Sequence, residues 1–114
     1  MSSQTSLIKN LANEYFLAFS NKDLFKIQSM FSQNIILRDW DISAQGFDQV
    51  SAANQNIFNS VQTIAVRPIN IFVDEHTAIG ELEITINDLE VIKVVDLIEF
   101  NKDLKIVAIK AYKG

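Results

Sequence analysis

The 114-residue sequence contains no cysteine, one proline, one histidine and one tryptophan. Without thiols there are no disulfides, no thiolate zinc site and no cysteine nucleophile, so any catalysis must use oxygen and nitrogen groups. No basic cluster occurs either. The 10 Lys and Arg are scattered among 14 Asp and Glu, and the formal net charge of -4 argues against a nucleic-acid surface and against anionic membranes. Residues 1–6 lack a basic start followed by an apolar stretch, and no apolar run approaches bilayer-spanning length. A cytoplasmic protein with no membrane segment is therefore expected. Linkers, internal repeats and low-complexity segments are also missing, so residues 1–114 read as a single domain, long enough for one core.

What is present begins with helical periodicity. Leu7, Ile8, Leu11, Tyr15, Ala18 and Phe19 recur on one stripe, with Thr5 and Ser6 as candidate caps. Asn21 can cap a second, shorter helix whose inward face is Leu24, Ile27, Met30 and Phe31, broken by Ser32-Gln33-Asn34. Residues 35–40 read as a strand with Ile35, Leu37 and Asp39 on one face. After a polar turn and Gly46, the spacing of Val50, Ala53, Ile57, Phe58 and Val61 predicts a third helix.

The remainder reads as strand. Alternation over residues 64–73 changes parity near Pro68, which suits a bulge or an edge, because proline cannot donate to a ladder. Turns at 74–76, 87–88 and 101–103 then separate strands over 77–86, 89–100 and 104–112. His76 falls in a turn, where a solvated histidine is expected. The order helix, helix, strand, helix and then four long antiparallel strands predicts an α+β fold. In it a cone-shaped, curved antiparallel sheet wraps around three N-terminal helices. The other sheet face carries Val95 and Leu97 and is apolar enough to suggest a homodimer surface.

One feature of the last strands points to chemistry. Ile92, Val94, Asp96, Ile98 and Phe100 share a side of their strand, and only Asp96 among them can ionise. A buried carboxylate without a partner carries a large desolvation cost, so Asp96 must be protonated, paired or facing a polar hole. Glu81 and Glu83 depend on the preceding hairpin. A two-residue loop at Asn87-Asp88 would put them on the Asp96 face; one extra loop residue would turn them outward, which is preferred because Leu82, Ile84 and Ile86 then point in.

The helix pair, the short strand ending in Asp39, the Gly-led third helix and the closing Val94-Val95-Asp96-Leu97-Ile98-Glu99-Phe100-Asn101 segment resemble the nuclear transport factor 2-like superfamily. The likeness, completed by Lys105-Ile106 and Ile109-Lys110-Ala111-Tyr112, is to its SnoaL-like and ketosteroid isomerase branch and covers nearly the whole chain. It implies a cystatin-like, SnoaL-like α+β barrel enclosing a pocket, with no cofactor and no metal. It also implies three roles. Asp39 stands where the isomerases keep the base that moves a proton between carbons, and Tyr15 where they keep a phenol donating to the enolate oxygen. Asp96 stands on the second donor, a carboxylic acid kept neutral by its apolar site, the same case that serves as the standard illustration of such a group.

The pocket wall implied by this alignment includes Phe19, Trp40, Phe58 and Ile98. From the last strand it adds Ile109, Ala111 and Lys113. Phe31 and Asn54 occupy positions where the isomerase has further tyrosines, and Lys113 one where it has a tryptophan. A cation at 113 would favour an ionised Asp39 and an anionic or polar ligand over a bulky steroid.

Simpler readings stand beside these. Tyr15 alone could be a core-edge tyrosine, Asp39 could merely end a strand beside Asp41, and Trp40 could be packing area. The expected function is a pocket protein for a small, carbonyl-containing organic molecule, isomerase-like or a SnoaL-like cyclase. The alternative is a non-catalytic ligand-binding or dimerisation module, since a fold does not fix a function. Dehydratase-like and epoxide hydrolase-like chemistries are less attractive, for want of an inward histidine and of an arginine-bridged acid pair.

Overall fold

A computed structural model describes residues 3–114. Three helices and six strands follow in the order α1 (Ser3–Ser20), α2 (Leu24–Ser29), β1 (Phe31–Arg38), β2 (Ser43–Gln45), α3 (Phe47–Ser60), β3 (Ile64–Asp74), β4 (Thr77–Ile86), β5 (Glu90–Phe100) and β6 (Ile106–Lys113). The strands form one curved, unclosed sheet in the order β2-β1-β6-β5-β4-β3. All neighbours are antiparallel except β1 and β6, so the α+β architecture is as expected while the sheet is mixed.

The long strands follow the two-residue alternation closely. The parity change is a register shift between Pro68 and Asn70 on β3, and β3 is an edge strand, where a missing N–H costs no ladder bond. The β4–β5 hairpin pairs Ile86 with Glu90, leaving Asn87, Asp88 and Leu89 in the loop. Asn87 and Asp88 take positive φ there, a conformation that asparagine and aspartate tolerate better than most residues. That third loop residue sets the face of every β4 side chain: Leu82 is buried and Glu81 is exposed. Glu83 lies between Arg67 Nη2 at 2.6 Å and Lys93 Nζ at 2.7 Å, and these two partners hold its carboxyl down to about 2.

Several local expectations need correction. Thr5 and Ser6 lie inside α1 instead of capping it. The α1 stripe is also rotated: Ile8, Ala12, Tyr15, Phe16 and Ala18 are buried, whereas Leu7 is exposed. The cap of α2 is Asp23, whose carboxylate accepts from Lys26 N, and not Asn21. β1 starts at Phe31, four residues earlier than the β-branched run, because Phe31 already pairs with Ile106; the polar Ser32-Gln33-Asn34 segment is absorbed where the register shifts. β1 ends at Arg38, so Asp39 and Trp40 lie just past it. The polar turn before Gly46 contains the short edge strand β2, whose Ala44 pairs with Leu37.

The core lies between the helices and the inner sheet face, with Ile8, Ile27, Ile35, Leu82, Ile98 and Ile106 fully enclosed. α1 packs on β3 and β4, and α3 on β1 and β2. Gly80 marks one close approach, since a Cβ there would lie 2.9 Å from Phe16 Cζ. The bare backbone lets the Phe16 ring come down onto β4.

Candidate active site

The sheet register explains the environment of Asp96. On the inner face its cross-strand neighbours are Gly80 on β4 and Ala111 on β6, and its neighbours along β5 are Val94 and Ile98. None of these offers a side-chain hydrogen bond. The Phe16 ring covers Gly80, so the strand turns an acid into apolar surroundings. Asp96 is only 9 % exposed. Burial, followed by the negative charge of Asp39, pushes its pKa up to about 7. Both causes favour the protonated acid.

Tyr15 reaches the same region from α1. It is 4 % exposed and its ring packs edge-on to Phe16, at 5.9 Å between centroids. Burial first, and the Asp96 charge second, push its hydroxyl above the ordinary phenol range, so it is a donor at every accessible pH.

Asp39 occupies a wetter position at the mouth. Its Oδ1 accepts from Asp41 N at 2.8 Å and from Ile42 N at 2.6 Å, and its own N–H donates to Ile42 O at 2.9 Å. The carboxylate therefore also organises the turn into β2, as aspartate commonly does. Trp40 follows at the rim, 45 % exposed.

These groups share one cavity of about 220 Å³, lined by Tyr15, Asp39 and Asp96 together with apolar residues of β3, β4 and β5. The volume falls below the roughly 300–1,000 Å³ of sites for drug-sized ligands, so a compact molecule fits best. Of the residues singled out for a pocket wall, Phe19, Trp40, Ile109 and Ala111 line this cavity. Three other expected wall residues do not. Phe58 is buried behind the wall, where its ring meets Phe19 at 4.9 Å, and Ile98 belongs to the fully buried core. Lys113, the last residue of β6, pairs with Val94 at the end of the inner row and is exposed, with Nζ 5.7 Å from the centroid of the Trp40 ring. Its cation engages the ring of Trp40, a wall residue, and does not itself line the cavity.

Two further polar residues line the cavity: Asp41, which was not expected there, and Asn54, one of the two positions matched above to supporting tyrosines. Asp41 comes with the Asp39 turn. Asn54 comes from α3; it is 1 % exposed, and its amide nitrogen has no hydrogen-bond partner. Leaving such a group unpaired costs about 1–3 kcal/mol. An asparagine inside the apolar stripe of a predicted helix was the signal available for it. No Lys, Arg or His lines the cavity. Among the described residues, no group of three His, Cys, Asp or Glu is placed to hold a metal, and no helix is long and apolar enough to cross a membrane.

The protonation of Asp96 has a thermodynamic consequence. The folded chain holds this proton up to about 7, whereas the unfolded chain releases it near 3.8. The stabilisation is complete below the lower value and is lost as the pH rises to the upper one, a change on the order of 4 kcal/mol. Urea unfolding from pH 4 to 8 should show this fall in the wild type, with a much flatter profile in Asp96→Asn. Equal slopes for the two proteins would show that Asp96 is already ionised in the folded state.

No protein-family model matches the chain, and neither does any curated protein. Solved structures do. A SnoaL-like protein of unknown function from Burkholderia thailandensis superposes with a TM-score of 0.86 at 13% identity, covering 100% of this chain and 98% of that one. An LEH-like epoxide hydrolase from M. tuberculosis gives 0.83 at 15% identity, over 97% and 85% of the two chains. A protein provisionally assigned as a ketosteroid isomerase, from Kribbella flavida, gives 0.84 at 14% identity, over 96% and 79%. At such identities the likeness concerns the backbone, and on that basis the chain has the nuclear transport factor 2-like fold in its SnoaL-like form.

Proposed function

We propose that the cavity binds a compact carbonyl compound and moves a proton next to its carbonyl group. The observation that carries this reading is the convergence of Tyr15, Asp39 and Asp96 on one small, largely apolar cavity. In this mechanism Asp39 takes a proton from the carbon adjacent to the carbonyl. The C–H electron pair becomes a C=C bond, and the carbonyl π pair moves onto oxygen. Tyr15 and protonated Asp96 donate to that oxygen, where charge grows, in a small and largely apolar cavity. Where the substrate carries a C=C bond one carbon further on, the resulting dienolate takes the proton back from Asp39 at the far end of that bond; the oxygen pair re-forms the C=O, the C=C shifts into conjugation with it, and the isomerisation is complete. The same enolate could instead attack a second carbonyl, which would make the protein a cyclase.

Deuterium incorporation beside the carbonyl of small cyclic ketones and enones, followed by NMR in heavy water, tests the chemistry. Asn at position 39 can still accept the two backbone N–H bonds, so Asp39→Asn should keep the fold while lowering exchange by about 10²–10⁴-fold. Tyr15→Phe should lower it by about 10²–10³-fold. Phenol, an enolate mimic, should bind the wild type and be lost from Tyr15→Phe and Asp96→Ala. Phenol binding with no exchange on any ketone would instead favour a non-catalytic ligand-binding protein, a reading supported by the structural duty of Asp39 in its turn.

Association of two copies through the outer sheet face belongs to the same proposal. Phe72, Val95 and Tyr112 are exposed there beside the half-buried Leu97, an apolar surface that a partner would cover. Sedimentation should give a dimer that Val95→Lys with Tyr112→Glu converts to monomer; a monomeric wild type at micromolar concentration would contradict it.

A further inference from the structure

Asn54 is the buried polar group of the cavity lining that the proton-transfer mechanism leaves idle. It sits in the middle of α3, where asparagine is a poor helix former, and it is nearly completely buried without a partner for its amide nitrogen. An apolar residue would suit both the helix and the core better. Asn54 lines the same cavity as Tyr15 and Asp96; its amide nitrogen is itself enclosed, so donating into the cavity takes a turn of the amide about its Cβ–Cγ bond. The cavity lining also carries acids and no Lys, Arg or His, which favours a ligand that enters uncharged over one that enters as an anion.

We infer that Asn54 is a ligand-binding, specificity-determining residue that donates to a second acceptor oxygen of the substrate. The substrate class is then an uncharged compound with two oxygen acceptors, such as a diketone, a hydroxyketone or a lactone-ketone. This rests on the reading of Tyr15 and Asp96 as donors to the first oxygen. A buried donor left unmatched discriminates strongly, because a ligand lacking the second oxygen must leave it unpaired.

The test uses matched phenols. The ortho, meta and para hydroxyacetophenones carry a second acceptor, and the corresponding isopropylphenols have nearly the same shape without it. Affinities are measured calorimetrically for the wild type, Asn54→Leu and Asn54→Ala. At least one acetyl isomer should bind the wild type about tenfold more tightly than its isopropyl counterpart. Both variants should abolish that ratio while keeping affinity for phenol itself. The ligand-free Asn54→Leu protein should melt no lower than the wild type, since no hydrogen bond is lost; a structural role for Asn54 would lower its melting temperature. Asn54→Ala, which adds no bulk, serves if the leucine variant does not fold. An acetyl-to-isopropyl ratio that is the same in all three proteins overturns the inference and leaves the Tyr15 and Asp96 assignment standing. Failure of every phenol to bind the wild type overturns both.

Discussion

The site depends on keeping one carboxylic acid dry. Asp96 is held by β5 in an inner row whose other members are apolar, and its lateral neighbours are a glycine and an alanine. The protein therefore offers the group no cation. Solvation is withdrawn and the charge of Asp39 stands nearby, so neutrality is the only inexpensive state at moderate pH. A neutral acid can donate a hydrogen bond, which a carboxylate cannot. The fold thus converts a residue that is ordinarily an acceptor into a donor, at a cost in stability to any folded chain that loses the proton.

The other groups take their characters from position relative to that acid. Tyr15 comes from the helix packed against the sheet and shares its dryness, so it too is fixed as a donor. Asp39 stands one residue past the end of β1, at the mouth, where backbone N–H groups meet one of its oxygens. Two acids in one small cavity are thereby driven apart in behaviour by surroundings alone, one partly solvated and anchored, the other enclosed. Lys113 could have collapsed that difference by pairing with either; its position over Trp40 leaves the cavity without positive charge.

Much of this was legible in the sequence because strand alternation is so regular here. The rows on β4 and β5 fixed the faces of Asp96, Glu81 and Glu83 once the hairpin loop was counted as three residues, and Pro68 marked its own bulge. Asp39 and Tyr15 could be singled out only through resemblance, since either residue alone has an ordinary structural explanation. The missed features lack a local signal. Ser43–Gln45 has no β pattern and becomes a strand by pairing with β1. Phe16 is buried because Gly80, far away in sequence, makes room for its ring. Phe58 and Ile98 share the periodicity of wall residues, and only the depth of packing separates a wall from the layer behind it. Asn54 was visible as a departure from a pattern, but its lack of a partner is a property of three-dimensional packing.

The protonation state of Asp96 can be read directly. Carbon NMR of protein labelled at aspartate carboxyl groups, with the Asp96 signal assigned by its disappearance in Asp96→Asn, should show this carboxyl titrating with a midpoint near 7. Replacing Asp39 by Asn should move that midpoint down, because a nearby negative charge is removed. A midpoint close to 4, the ordinary aspartate range, would mean that Asp96 is a solvated carboxylate and that no neutral donor exists in the cavity.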